Sequence, residues 1–224
     1  MRAIIFDLDG VLVFTDRFHY QAWKMLADRL KICFDETINN RLRGVSRLES
    51  LEIILGGSTV DYTQRQKEQF AEEKNERYRS LLSTMTPKDV SDEVRETLSE
   101  LKRRGYRLAI GSSSKNTKYI LAQTDLTDYF DAISDGTNIT RSKPDPEVFI
   151  KAAAMLNVEP GNCAVIEDAY AGIDAAKAAG MLAIGIGDAA SYTRADIPLQ
   201  SFSQLLDVFP KSPCSTTRAA MKER

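Results

Sequence analysis

Directly after the apolar run 3–6 (AIIF) the chain reads Asp7-Leu8-Asp9-Gly10. Alternate residues of an extended segment point to the same side. Both carboxylates can therefore face one pocket, and Gly10 admits a tight turn. Two carboxylates this close repel, and they persist best with a divalent cation between them or a proton on one of them. Ser112-Ser113-Ser114-Lys115-Asn116 follows a second apolar run and Gly111. Hydroxyl and backbone N–H donors leading into a helix are suited to a phosphate. Glu167-Asp168 follows a third run, with Gly172 four residues past Asp168, and offers further oxygen ligands. Lys143-Pro144, just ahead of a helix beginning near Pro146, supplies a cation that can neutralise phosphate and hold an aspartate ionised. Read singly, each has an ordinary explanation: a polar turn, a serine helix cap, an acidic first helical turn favoured by the macrodipole, a surface lysine.

The elements that must position these residues are strands and helices in alternation. Four nearly all-apolar runs, 3–6 (AIIF), 107–110 (RLAI), 163–166 (CAVI) and 182–186 (LAIGI), read as strands buried on both faces. Between them lie helical spacings. Val94, Leu98 and Leu101 form a stripe that stops at Gly105; Phe149, Ala152, Ala153 and Leu156 form a second; Ile173, Ala176 and Ala179 form a third, closed by Gly180. This rhythm predicts an α/β fold, and open parallel sheets seat their ligands at the carboxyl ends of their strands, where all of these motifs fall.

Residues 14–82 break the rhythm. They show no convincing strand and three or four helical patterns: Phe18, Ala22, Met25 and Leu26 share a face, as do Leu48, Leu51 and Leu55, while 64–79 is polar with Phe70 and Tyr78 as apolar anchors. The expected organisation is a core of 1–13 and 84–210, an all-helical cap of 14–83 inserted after the first strand, and a tail of 211–224. Composition narrows the functions. Lys+Arg 30 against Asp+Glu 32 leaves a net charge of −2, with no electrostatic footprint for nucleic acid or an anionic membrane. No apolar run approaches the roughly 20 residues of a membrane span, and 3–6, only four residues long and followed at once by acidic Asp7, is not expected to be a signal peptide. Cys33, Cys163 and Cys214 are odd in number and far apart, as expected of reduced thiols in a cytoplasmic protein. With His19 the only histidine, neither a zinc centre nor a Ser-His-Asp hydrolase is expected.

Taken in order, Asp-x-Asp-Gly, a serine after the second strand, Lys-Pro and Glu-Asp resemble the haloacid dehalogenase superfamily of phosphotransferases. The resemblance implies a Rossmann-like parallel sheet with an inserted helical cap, agreeing with the break at residue 14. It implies that Asp7 is the nucleophile forming an aspartyl-phosphate and Asp9 the general acid/base. Asp7, the Asp9 backbone carbonyl and Asp168 would bind Mg2+, with Glu167 direct or through water. Ser112 and Lys143 would hold the transferring phosphoryl group.

The cap carries the resemblance further. Thr15, His19 and Trp23 are spaced at four, so one helix face looks at the cleft. Arg43-Gly44-Val45-Ser46-Arg47 and Ser50 lie in a loop entering a helix, and Lys74-Asn75 on the long polar helix. This set resembles the β-phosphoglucomutase family, which interconverts β-glucose 1-phosphate and β-glucose 6-phosphate through β-glucose 1,6-bisphosphate. The resemblance implies that Gly44, Val45, Ser46, Arg47 and Ser50 meet the distal, non-transferring phosphate, with Ser113, Ser114, Lys115 and Asn116 adding to the grip. It places His19 by the acid/base residue and Lys74 and Asn75 against the sugar. Phe14 and Arg43 depart from the family pattern, which favours a small or acidic residue and a lysine there. A monomer acting on a small hexose phosphate is the expectation. A sugar phosphate or phosphoglycolate phosphatase, and a catalytically silent phosphosugar-binding domain, are the rivals.

Overall fold

The computed structural model describes residues 1–42 and 46–211. Arg43, Gly44 and Val45 of the cap loop, and the expected tail with Cys214, lie outside the described residues apart from Lys211. Six parallel strands form one sheet: β1 (Ala3–Phe6), β2 (Arg107–Gly111), β3 (Ala132–Ser134), β4 (Cys163–Glu167), β5 (Leu182–Gly185) and β6 (Ile197–Pro198). Their order is β3-β2-β1-β4-β5-β6. The chain leaves β1 on one side towards β2 and β3 and on the other towards β4 to β6, so the carboxyl end of β1 opens on a topological switch point. The expected Rossmann-like sheet is present, and the four apolar runs are its strands β1, β2, β4 and β5. β3 and β6 were not expected.

Alternation along the buried strands sorts the core into two layers. Ile4, Phe6, Leu108, Ile110, Ala164, Ile166 and Ile184 face one way, towards the helix Asp92–Arg103 and the C-terminal segment, with Val94, Leu98, Leu101, Phe202 and Phe209. Ile5, Ala109, Val165 and Ala183 face the other way, against Phe149, Ala152, Ile173 and Ala176. Between β1 and β2 lie the cap helices α1 (Asp16–Leu30), α2 (Glu36–Asn40), α3 (Arg47–Leu55) and α4 (Gln64–Leu82). They are followed by α5 (Asp92–Arg103), α6 (Thr117–Gln123), α7 (Glu147–Met155), α8 (Tyr170–Ala178) and α9 (Leu205–Val208).

The cap has its own core, built from Trp23, Leu26, Ala27, Ile32, Phe34, Leu42, Leu51, Ile54, Leu55 and Ala71. Capping boxes start α3 (Ser46 with Glu49) and α4 (Thr63 with Gln66), satisfying helix N–H groups that would otherwise lack partners. Two expected stripe members are on the outside: Met25 is 46% exposed and Leu48 51% exposed. Each sits at the margin of an apolar face whose centre, Phe18–Ala22–Leu26 in α1 and Leu51–Leu55 in α3, already fills the available contact. On the polar α4 the buried residues are Ala71, Lys74, Tyr78 and Leu82, a stripe at helical spacing that contains a lysine.

Candidate active site

β1 and β4 run in register, with Phe6 beside Ile166, and the Asp7 N–H donates to the Ile166 carbonyl (3.0 Å). Asp7 and Glu167 therefore emerge side by side at the carboxyl edge of the sheet. Asp168 follows, and these three carboxylates offer ligand atoms all within 4.8 Å of one another. Lys143 reaches them from the segment before α7, through a cis Lys143–Pro144 bond. Its ammonium donates to Asp7 Oδ1 and, at 2.5 Å, to Glu167 Oε1, and it lies 4.8 Å from the Phe149 ring centroid.

Two glycines make this crowding possible. Gly10 has φ +86°, and a Cβ there would stand 2.0 Å from Asp168 Oδ2. A Cβ on Gly172 would stand 1.9 Å from Glu167 Cδ. Side chains at either position would push a carboxylate out of the cluster.

One ammonium for so many carboxylates leaves negative charge undercompensated. Burial, and then repulsion from Asp7 and Glu167, pushes the Asp168 carboxyl up to about 8. Burial raises Glu167 to about 7 against the pull of Lys143. Burial likewise raises Asp9 to about 7, opposed by its hydrogen bond from Thr15 and helped by the Asp7 charge. Burial works against the Lys143 charge, but Asp7 and Glu167 overcome it and hold the ammonium above the ordinary lysine range. Hard oxygen ligands, buried together and drawing protons for want of positive charge, fit a divalent cation such as Mg2+.

Ser112, almost fully buried, follows β2, and its Oγ accepts from the Ser114 N–H (3.2 Å). Ser114 Oγ accepts from the Asn116 N–H (3.2 Å), so the loop is folded on its own hydroxyls. Ser113 Oγ is buried without a hydrogen-bond partner among the described residues, and Lys115 is exposed. Asn116 stands at the N-terminus of α6 and reaches across to the cap, where its Nδ2 donates to Asn75 Oδ1 (3.1 Å).

The cap side presents bases. Lys74 is only 2% exposed; its Nζ lies 2.9 Å from His19 Nδ1, 4.4 Å from the Tyr78 ring centroid and 4.8 Å from that of Trp23. No carboxylate among the described residues lies within salt-bridge distance of it. Burial, with repulsion from Arg47, brings its ammonium down to about 7. Burial, then Lys74 and Arg47, holds His19 well below its usual value, which favours the neutral imidazole in its contact with Lys74. Arg47, in the first turn of α3, is half-buried; its Nη1 is 4.0 Å from Glu72 Oε2. Ser46 is spent on the capping box and Ser50 is buried. Trp23 stands in the cap's apolar core with its ring towards Lys74.

Thr15 joins the two sides by donating its hydroxyl to Asp9 Oδ1. Tyr78, read in the sequence only as an apolar anchor, adds its hydroxyl to this contact, 3.1 Å from Thr15 Oγ1. Nothing in the residue spacing signals that bond, because its partners lie 63 positions apart. Gly44 and Val45 lie outside the described residues.

Comparison with known proteins agrees with this geometry. The family model of haloacid dehalogenase-like hydrolases matches residues 1–180. The chain is 44% identical over 207 residues to β-phosphoglucomutase of Bacillus subtilis (strain 168), covering 92% of each. It is 32% identical over 184 residues to the phosphorylated carbohydrates phosphatase of Thermotoga maritima, covering 81% of this chain and 82% of that one. The crystal structure of β-phosphoglucomutase from Clostridium difficile superposes with a TM-score of 0.85 at 39% identity, covering 92% of this chain and 93% of that one.

Proposed function

The chain belongs to the haloacid dehalogenase-like hydrolase family, in its β-phosphoglucomutase branch, and on that premise we propose that it interconverts β-glucose 1-phosphate and β-glucose 6-phosphate through β-glucose 1,6-bisphosphate. The observation that carries this reading is the pairing of the buried carboxylate cluster with a cap that carries Arg47 and buries Lys74, which has no carboxylate within salt-bridge distance among the described residues. A cleft with an anionic floor and a cationic roof suits a substrate with a phosphate to transfer and a second anionic group to be gripped.

In this scheme Asp7 attacks the phosphorus and becomes the aspartyl-phosphate, while Asp9 gives a proton to the departing sugar oxygen and later takes one from the attacking hydroxyl. Phosphoryl transfer needs charge neutralised on the equatorial oxygens more than it needs further covalent help. Lys143 supplies one charge and Ser112 a hydrogen bond. Mg2+, when held by Asp7, the Asp9 backbone carbonyl and Asp168 with Glu167 in support, would supply the rest of that neutralisation. Arg47, with Ser50 and the 113–116 loop, grips the distal phosphate; Lys74, His19 and Asn75 seat the sugar. The bisphosphate presents first one phosphate and then the other to the same Asp7. Gripping its far end also helps to keep water off the aspartyl-phosphate.

A sugar-phosphate phosphatase is the second reading, favoured by the 32% identity to the phosphorylated carbohydrates phosphatase. The two part on what attacks the aspartyl-phosphate. Purified protein is incubated with Mg2+, β-glucose 1-phosphate and a trace of bisphosphate, and glucose 6-phosphate and inorganic phosphate are followed together. A mutase makes glucose 6-phosphate well ahead of phosphate; the opposite ratio assigns the chain to the phosphatases.

A further inference from the structure

We propose that Glu72 is a positioning residue for the distal-phosphate grip: its carboxylate holds the Arg47 guanidinium when no phosphate is bound and takes it back when the phosphate leaves, so that it limits how tightly the second phosphate of the bisphosphate is held. This rests on the reading of Arg47 as a distal-phosphate ligand and deepens it. Among the described residues, Glu72 is the carboxylate within salt-bridge distance of Arg47, with Oε2 4.0 Å from Nη1. Its other oxygen, Oε1, accepts from Asn75 Nδ2 (3.5 Å), one turn further along α4 and on the same side of the helix. Asn75 Oδ1 in turn accepts from Asn116 Nδ2 (3.1 Å) at the N-terminus of α6. Arg47 and Asn116, both read as gripping the distal phosphate, and Asn75, read as seating the sugar, are thus joined through one carboxylate that no sequence motif singles out.

A carboxylate beside a phosphate grip works against binding, since it repels the ligand and competes for its cation. Its use lies in letting go. The bisphosphate has to offer each of its phosphates to Asp7 in turn, so every cycle breaks the grip on one of them. The two members of the pair are unequally placed for that exchange: the Arg47 side chain is 27% exposed and the Glu72 side chain 64%. Burial pushes the guanidinium below its ordinary range, and the Glu72 charge pushes it back up. A cation withdrawn that far from water is costly to leave without an anion when the phosphate departs. Glu72 removes that cost, while its own carboxylate stays hydrated and swings aside cheaply when a phosphate arrives. It lies outside the buried stripe of α4 formed by Ala71, Lys74, Tyr78 and Leu82, so the movement disturbs no packing. The exchange trades one anionic partner of Arg47 for another; no proton moves and no covalent bond changes.

The test is the sign of the effect. β-Glucose 1,6-bisphosphate is titrated calorimetrically, in Mg2+, into the Asp7→Asn protein, which binds the ligand without turning it over, and into the same protein carrying Glu72→Gln. The amide keeps an acceptor for Asn75 and removes the charge. A pair at this separation, with one member mostly in solvent, is worth only a few-fold, so Kd should fall by about twofold to fivefold. A residue that merely supported the fold would raise Kd instead. Arg47→Ala closes a double-mutant cycle: in its background Glu72→Gln should leave Kd unchanged within about 1.3-fold, because no guanidinium remains to be held. Unchanged or weaker binding in Glu72→Gln alone overturns the inference and leaves the mutase reading standing. Equal tightening in the Arg47→Ala background overturns it as well, since Glu72 would then act by its charge on the phosphate and not through Arg47. If Arg47→Ala does not itself weaken binding, the distal-phosphate reading falls and the inference with it.

Discussion

The two walls of the cleft carry opposite charge problems. On the core wall Asp7, Glu167 and Asp168 share one ammonium, and burial drives Glu167 and Asp168 to hold protons that carboxylates normally release. On the cap wall Lys74 and His19 are buried near Arg47, and both tend to give up protons that they would keep in water. Neither wall is at its electrostatic optimum alone. A cation relieves the first and an anion the second, so a metal-bound phosphate ester relieves both. The walls differ also in rigidity of origin. The core groups stand at the ends of hydrogen-bonded strands, whereas the cap groups stand on α1, α3 and α4, whose placement depends on side-chain packing.

If that contrast is right, core substitutions should strike the chemical step and cap substitutions the grip on substrate. The largest effect belongs to Asp7→Asn, which keeps the size and removes the nucleophile: turnover should fall by about four orders of magnitude or more with the fold intact by circular dichroism. Retention of even about a tenth of wild-type turnover would break the aspartyl-phosphate route. Lys143→Ala comes next, with a loss of about a hundredfold to a thousandfold in kcat, because its charge acts on the transferring group. A change confined to KM would move Lys143 to the binding side of the comparison.

Arg47→Ala should lower mutase kcat/KM by about tenfold to a hundredfold, since a guanidinium grips phosphate bidentately. Mg2+ affinity and phosphorylation of Asp7 by acetyl phosphate should hardly change. Loss of either together with mutase activity would erase the distinction between walls.

The smallest effect is in stability, and its sign tests both walls. Asp168, Glu167 and Asp9 have folded-state values near 8, 7 and 7. Between the ordinary carboxylate range and those values the folded state holds protons that the unfolded chain has released. Stability without metal should therefore fall as pH rises from about 5 to 8. Lys74, lowered to about 7, acts in the opposite sense: the unfolded chain holds the extra proton from there up to the ordinary lysine range, so its part of the stability rises with pH. Melting in EDTA should drop by several degrees between pH 5 and 8 and turn upward above, where only Lys74 still acts, and the gain on adding Mg2+ should be greater at pH 8. A gain larger at pH 5 would mean that the carboxylates are not competing with protons for the ion.

Much of the core wall was legible because its residues follow apolar runs directly. The strand ends of β1, β2 and β4 place Asp7, Ser112 and Glu167 without any help from distant sequence. β3 and β6 were not legible, for physical reasons: Ala132–Ser134 is three residues and half-exposed at its start, and Ile197–Pro198 is two residues with a proline. In the cap the apolar spacings marked helices but overstated their buried faces, as Met25 and Leu48 show. Helical periodicity identifies a face and not its width. The buried state of Lys74 and the Tyr78–Thr15 bond were invisible for a different reason. Both arise from α1 and α4 packing together, and no local pattern encodes which side chains then meet.

The pairing of β1 with both β2 and β4 also has a meaning in time. β1 is made well before either of its neighbours, since its register partners begin at Arg107 on one side and Cys163 on the other. At ribosomal speeds of roughly 5–20 residues per second, β1 waits about 5–20 s for its first neighbour and about 8–30 s for its second. Throughout that interval Ile4, Ile5 and Phe6 have no strand to cover them, while the cap helices, whose contacts are local, can already assemble. The site therefore cannot be complete until β4 has been made, long after Asp7 and Asp9. Slower growth or colder expression lengthens the exposed interval, and the nascent strand becomes a natural client for chaperones that hold short apolar segments.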